Sequence, residues 1–171
     1  MPDKLQDESG SWIIYVPFDT CGFRLGNSLL CDALGQNGDK YPEVGDADYF
    51  IDCQGVVREF VEDRVLLSAA TVGDGGLLTA LKLMCSGNIG ADIDISGIMN
   101  AYGETKSVRV LFSEVPGAII QIKDSDYDYI DAEFLLQDIA YYPIGHTVTG
   151  SGEVNVKAGG SNGISPIPPS P

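Results

Sequence analysis

Val65-Leu66-Leu67-Ser68-Ala69-Ala70-Thr71-Val72-Gly73-Asp74-Gly75-Gly76-Leu77 passes from one kind of backbone to another within a few residues. Residues 64–70, apolar apart from Arg64 and Ser68, read as a buried strand. Residues 71–76 are a glycine-rich break. Behind it, Leu77, Leu81, Met84 and Cys85 recur at helical spacing, so residues 77–86 are expected to form a helix. Gly87 is expected to close that helix as a C-terminal cap. A strand that empties into glycines and then a helix leaves backbone N–H groups without intrahelical partners. Together with the helix dipole, such groups can hold a phosphate. Gly73, Asp74, Gly75 and Gly76 are therefore candidate substrate- or nucleotide-binding residues, and Asp74 could instead cap the helix or ligate a metal. The pattern is neither GxGxxG nor a Walker loop, because no GK[ST] follows. The structural alternative is a tight strand-to-helix turn.

Working outward, Trp12-Ile13-Ile14-Tyr15-Val16 is a short apolar run that stops at Pro17 and reads as a strand. Residues 1–11 before it are polar. After it come a loop containing Gly22 and Gly26, a short helix at 28–34 and a turn-rich stretch at 36–45. Tyr49, Cys53, Val56, Val57 and Phe60 then mark one face of a helix, with Asp46 or Asp48 as a cap. On the other side, residues 91–95 alternate polar and apolar, the pattern of a strand with one exposed face. A short helix is expected at 108–112 and a strand at 117–122. A further helix carries Tyr127, Ile130 and Phe134 on one face, and closing strands are expected at 139–148 and 153–156. Residues 157–171 are rich in Gly, Ser and Pro and lack apolar periodicity, the mark of a tail. The expected fold class is α/β (α+β), a mixed sheet covered by helices.

The 171 residues suit one domain. With 25 acidic against 10 basic residues, the net charge of −15 opposes binding to nucleic acid or anionic lipid. It also means that a bound triphosphate would need a divalent metal or a basic partner domain. The four cysteines, Cys21, Cys31, Cys53 and Cys85, form no CxxC pair, and only one histidine accompanies them, so a structural zinc site is poorly supported. No secretory signal pattern opens the chain and no apolar run is long enough to span a membrane, so a cytoplasmic location with free thiols is expected.

Other residues admit paired readings. Ser113 and Glu114 stand just before the strand at 117–122 and either line a cleft or belong to a solvated turn. Asn27 and Ser28 make a sound helix cap, with a phosphate contact as the second possibility. His146 has no companion for a Ser/His/Asp set. Asp124, Asp126 and Asp128 have alternate spacing but lack the glycine and distal glutamate of a calcium loop, which leaves them as a negatively charged helix start. Tyr141 and Tyr142 read as strand packing.

Several of these segments stand in a familiar order. Leu25-Gly26-Asn27-Ser28-Leu29 resembles the LGGSAL element of phosphoribosylformylglycinamidine synthases, and Gly73-Asp74-Gly75-Gly76-Leu77 resembles the end of their HDxSDGGL element. Residues 87–95 are similar to AGNxGxxxDI, residues 111–118 to LFxEELGA, and Ile144-Gly145-His146-Thr147-Val148 to a closing IGxV strand. The resemblance spans residues 12–156 and points to the C-terminal-type domain of the AIR synthase superfamily, flanked here by a loose N-terminus (1–11) and the tail (157–171). It implies an AIR synthase C-terminal-domain-like fold with partial similarity to a ferredoxin-like sheet. It also implies a reaction. ATP and Mg²⁺ phosphorylate the amide oxygen of formylglycinamide ribonucleotide, and ammonia from glutamine then displaces phosphate to give the amidine, a step in purine biosynthesis. The implied partners are an N-terminal-type AIR synthase lobe and a glutaminase, so an excised, truncated or separately encoded lobe, inactive alone, is expected. Two departures stand out: Ala70 and Thr71 replace the family's His-Asp, and Asn27 replaces a glycine.

Overall fold

The structure, a computed structural model, describes residues 2–19 and 47–158. The expected elements at 20–46, together with Asn27, Ser28, Cys21, Cys31, the Asp46 cap and most of the tail, lie outside the described residues. Strands β1 (Trp12–Pro17), β2 (Leu66–Val72), β3 (Ile89–Asp94), β4 (Gly117–Ile122), β5 (Tyr142–Thr149) and β6 (Val154–Lys157) form one sheet in the order β2-β4-β1-β5-β3-β6. All neighbours are antiparallel except β3 and β6, which are parallel. The mixed sheet expected from the sequence is therefore present. Helices α1 (Ala47–Glu62), α2 (Gly76–Met84), α3 (Ser96–Tyr102), α4 (Ser107–Phe112) and α5 (Tyr127–Leu136) cover it.

Alternation along the central strands divides the core in two. Ile13 and Tyr15 of β1 and Ile119 of β4 face one layer, with Leu77, Leu81, Met84, Ile98 and Val110 from α2, α3 and α4. Ile14 and Val16 of β1 and Ala118, Ile120 and Ile122 of β4 face the other, with Cys53, Val56, Phe60, Ile130 and Phe134 from α1 and α5. Every residue of β4 is buried, which explains why its sequence, Gln121 apart, is apolar without alternation. Each fully buried Leu, Ile, Val or Phe contributes about 1.5–3 kcal/mol, so these two layers hold the sheet between helices. The phase of α1 read from the sequence is met, since Cys53, Val56 and Phe60 are its buried residues.

Strand β2 runs on through Thr71 and Val72, two residues into the expected glycine-rich break, and two further local features depart from expectation. Gly87 does not cap α2. That helix ends at Met84, with Cys85 already extended (φ −71°, ψ 149°). Its last carbonyls are taken from outside, because Leu5 N–H donates to Met84 O at 2.8 Å and the Lys4 ammonium donates to Leu83 O. Gly87 instead serves the tight bend in which Ser86 and Ile89 exchange backbone hydrogen bonds. Helix α3 has no counterpart in the sequence pattern, although both its ends are marked in sequence. Asp94 Oδ1 accepts from Ser96 N (2.9 Å) and Ser96 Oγ (2.6 Å), and Gly103 ends the helix in the left-handed region (φ 62°).

Candidate functional site

Strands β2 and β4 end in register, Val72 opposite Gly117. This pairing forces the segment that follows β2 and the segment that precedes β4 to the same end of the sheet. The glycine turn and the Ser113-Glu114 pair, separate in sequence, therefore meet. Gly75 and Gly76 both adopt positive φ (85° and 78°), a conformation that costs glycine little. Gly76 N–H donates to Gly73 O at 3.0 Å and closes the bend. A Cβ on Gly76 would lie 2.7–2.8 Å from the backbone of Leu111 and Phe112, so α2 seats itself on α4 only because this residue has no side chain.

The backbone donor immediately before α2 already has an acceptor. Gly75 N–H donates to Glu114 Oε2 at 2.6 Å. No side chain of the turn itself caps the helix, so Asp74, which is exposed, does not take the capping role considered above. A carboxylate from the loop before β4 thus sits at the positive end of α2, an arrangement worth about 0.3–1 kcal/mol near a surface. Ser113 beside it is buried, at 1% exposure, and Glu114 is half-buried. Neither primary sequence nor periodicity pairs Gly75 with Glu114. The signal lies in the adjacency of β2 and β4, which only the sheet order reveals.

Ala70 and Thr71, which replace a polar pair in the resembling family, point to opposite sides of β2. Ala70 packs against the α2 layer, whereas the exposed Thr71 borders a cavity of about 500 Å³ under α1. His146 stands away from the turn. Its Nδ1 donates to Ser11 O at 3.0 Å and its ring lies 4.3 Å from the Trp12 indole. Asp124 accepts from Trp12 Nε1 at 2.8 Å and so acts as a tether between β1 and the approach to α5. Tyr141 stacks on Phe134 at 4.6 Å and 12°, the packing role expected of it. Burial pushes the Cys53 thiol up to about 11 and raises that of Cys85, which leaves both as packed, protonated thiols. Among the described residues no three His, Cys, Asp or Glu side chains are gathered to hold a metal ion. Among them also, no helix is long and apolar enough to cross a membrane.

With this geometry in view, the likenesses to known proteins can be placed on it. Residues 8–157 match the family described as AIR synthase related protein, C-terminal domain. The chain is 26% identical over 147 residues to human phosphoribosylformylglycinamidine synthase, covering 85% of this chain and 11% of that protein. It is 29% identical over 143 residues to the probable phosphoribosylformylglycinamidine synthase, chloroplastic/mitochondrial, of Arabidopsis thaliana, covering 83% of this chain and 10% of that one. Among solved structures, Thermotoga maritima PurL complexed with ADP superposes with a TM-score of 0.67 at 16% identity, over 92% of this chain and 24% of that chain. The same protein complexed with FGAR gives 0.68 at 17%, over 93% and 27%. The structural likeness speaks for the fold. The chain spans about a tenth of the length of the curated relatives it matches.

Proposed function

From the premise that this chain belongs to the AIR synthase related protein, C-terminal domain family, we propose that it serves as one lobe of a phosphoribosylformylglycinamidine synthase. In that role it forms a wall of the cleft in which ATP activates the amide oxygen of formylglycinamide ribonucleotide and ammonia displaces phosphate. The observation that carries this reading is the joint between Gly75 and Glu114. It gathers a glycine turn, a helix start and a carboxylate at one end of the sheet, where groups from another domain could complete a cleft. Asp74, exposed on the turn, and Ser113 are the remaining polar groups of that wall. Asn27 and Ser28 are assigned to the same substrate- or nucleotide-binding surface on the sequence resemblance alone.

The chain's own residues do not make a complete nucleotide site. Its net charge of −15 opposes an uncompensated triphosphate. Asp74 offers a single carboxylate for Mg²⁺, and Glu114 is already engaged by a backbone amide. The metal and the positive charge are therefore expected from an N-terminal-type lobe, and ammonia from a glutaminase domain. The isolated chain should show no amidine formation with ATP and ammonia.

A second reading, a binding or scaffold module that retains the fold without the chemistry, is favoured by the same hydrogen bond. A carboxylate already occupies the place at Gly75 where a phosphate oxygen would be held. A chimera separates the two readings. Residues 12–156 replace the corresponding lobe of a complete synthase, and the amidine product is assayed with ATP and ammonia. Turnover by the folded chimera supports the lobe assignment. A folded, inactive chimera that stays inactive after Ala70→His with Thr71→Asp supports the scaffold reading. Turnover by the pure chain would contradict the need for partner domains.

A further inference from the structure

The two edges of the sheet are protected unequally. Edge strand β6 has four residues and carries Lys157, both common defences against unwanted strand pairing. Edge strand β2, Leu66-Leu67-Ser68-Ala69-Ala70-Thr71-Val72, has no charge and no proline. Its one bulge falls between Leu66 and Ser68 and leaves the stretch from Ala69 onward regular. Ala69 N–H points away from β4, since it donates to Pro2 O at 3.0 Å. Outward- and inward-facing residues alternate in an antiparallel pair, so Thr71, two residues on, also turns its N–H and C=O toward the open edge.

On the α1 side of this edge lies the cavity of about 500 Å³. Phe18, Val57, Val61 and Ala118 give it an apolar lining, with Thr71 on the strand and Gln54 and Arg58 on the helix as polar members. Its size falls within the range of pockets that take drug-sized groups. The small side chains at Ala69 and Ala118 create it, because α1 packs its neighbouring stripe, Cys53, Val56 and Phe60, into the core and leaves Val57 and Val61 over a hollow. In a chain with 25 acidic residues, Arg58 nevertheless has no carboxylate partner among the described residues.

We propose that β2 and α1 form a strand-addition site for an extended peptide segment of a partner, bearing an apolar side chain and a carboxylate two residues apart. The segment's main chain bonds Thr71 at the open edge. The side chain opposite Thr71 enters the cavity, and a carboxylate two residues away, on the same face of the added strand, pairs with Arg58. An edge strand beside a helix gives affinity through backbone bonds and selectivity through the pocket. The acidic requirement follows from the guanidinium, which has no carboxylate partner among the described residues and is a planar carboxylate receptor. The cavity lies on the face of the sheet opposite α2 and Glu114, although its rim includes Ala70 and Thr71, the positions where the resembling family carries His-Asp.

The test is panning of a phage-displayed random decapeptide library against the full chain. The most enriched peptide is then synthesised and titrated by fluorescence anisotropy, with amide exchange followed by NMR. Enriched peptides should pair an apolar and an acidic residue at a two-residue spacing. Thr71 N–H should exchange rapidly in the chain alone and slow when the peptide binds. Arg58→Gln, an exposed helix position, should weaken binding about tenfold through loss of a charge-assisted contact. Val61→Asp should do the same by placing a charge in the apolar hollow, with the fold checked by its amide spectrum. The proposal is overturned by an absence of enrichment, or by affinity that Arg58→Gln and Val61→Asp leave unchanged. Protection of Thr71 N–H in the chain alone, or only upon self-association in sedimentation, also overturns it.

Discussion

Ser68 on β2 and Gln121 on β4 share a buried hydrogen bond, Ser68 Oγ donating to Gln121 Oε1 at 2.9 Å. Gln121 is fully buried in a strand otherwise made of apolar residues, and each of its polar atoms is engaged. Its Oε1 also accepts from Gln6 N–H (2.8 Å), while its Nε2 donates to Gln6 O and Ser11 Oγ, both at 2.9 Å. One amide side chain thus ties the polar N-terminal segment to the centre of the sheet.

Gln121→Met, close in volume, is expected to destabilise the chain by about 1–3 kcal/mol for each buried group it leaves without a partner. Urea unfolding of the variant against the parent measures this. Ser11 Oγ keeps its contact with Thr147 Oγ1 at 3.1 Å, so a loss below about 0.5 kcal/mol would mean that water or rearrangement satisfies Ser68 instead.

Gly76→Ala is expected to lower stability by more than the roughly 1 kcal/mol typical of a glycine-to-alanine change at positive φ. The new methyl meets the Phe112 backbone as well as the strained dihedral. Thermal unfolding should show a lower midpoint, whereas Gly55→Ala on α1, where a Cβ meets nothing within 4 Å, should be neutral or stabilising.

Cys53 gives a pH dependence with a definite sign. Burial raises its thiol from 9.0 to about 11 in the folded chain, so the unfolded chain releases the proton first. Stability from this group is complete below about 9 and falls as pH rises toward about 11, beyond which the loss is finished. Denaturant midpoints measured across that window should decline less steeply in Cys53→Ala than in the parent. At pH 8, iodoacetamide should modify Cys53 in urea but not in the native chain.

Several elements were legible because their chemistry is local. The apolar run that became β4 and the stripe of Cys53, Val56 and Phe60 on α1 each depend on burial repeating at a fixed interval. The end of α2 was not legible, since the groups that satisfy Met84 O and Leu83 O come from Leu5 and Lys4, far away in sequence. The glycine turn and Glu114 were each visible, but their contact depends on β2 lying beside β4. Helix α3 is not legible despite Asp94 and Gly103, because its few residues leave too little apolar periodicity to register.

The position of β1 in the sheet has a consequence for how the chain is made. Ser11 and His146, which share a hydrogen bond, stand 135 positions apart. Both neighbours of β1, the strands β4 and β5, belong to the later part of the chain. At a synthesis rate of about 5–20 residues per second, the first strand leaves the ribosome roughly ten seconds before its mates exist. Through that interval Ile13-Ile14-Tyr15-Val16 has no sheet to join, and closing so long a loop makes assembly slow even afterwards. Translation of this unit therefore presents a nascent apolar segment to chaperones, and its folding can finish only after β5 has emerged.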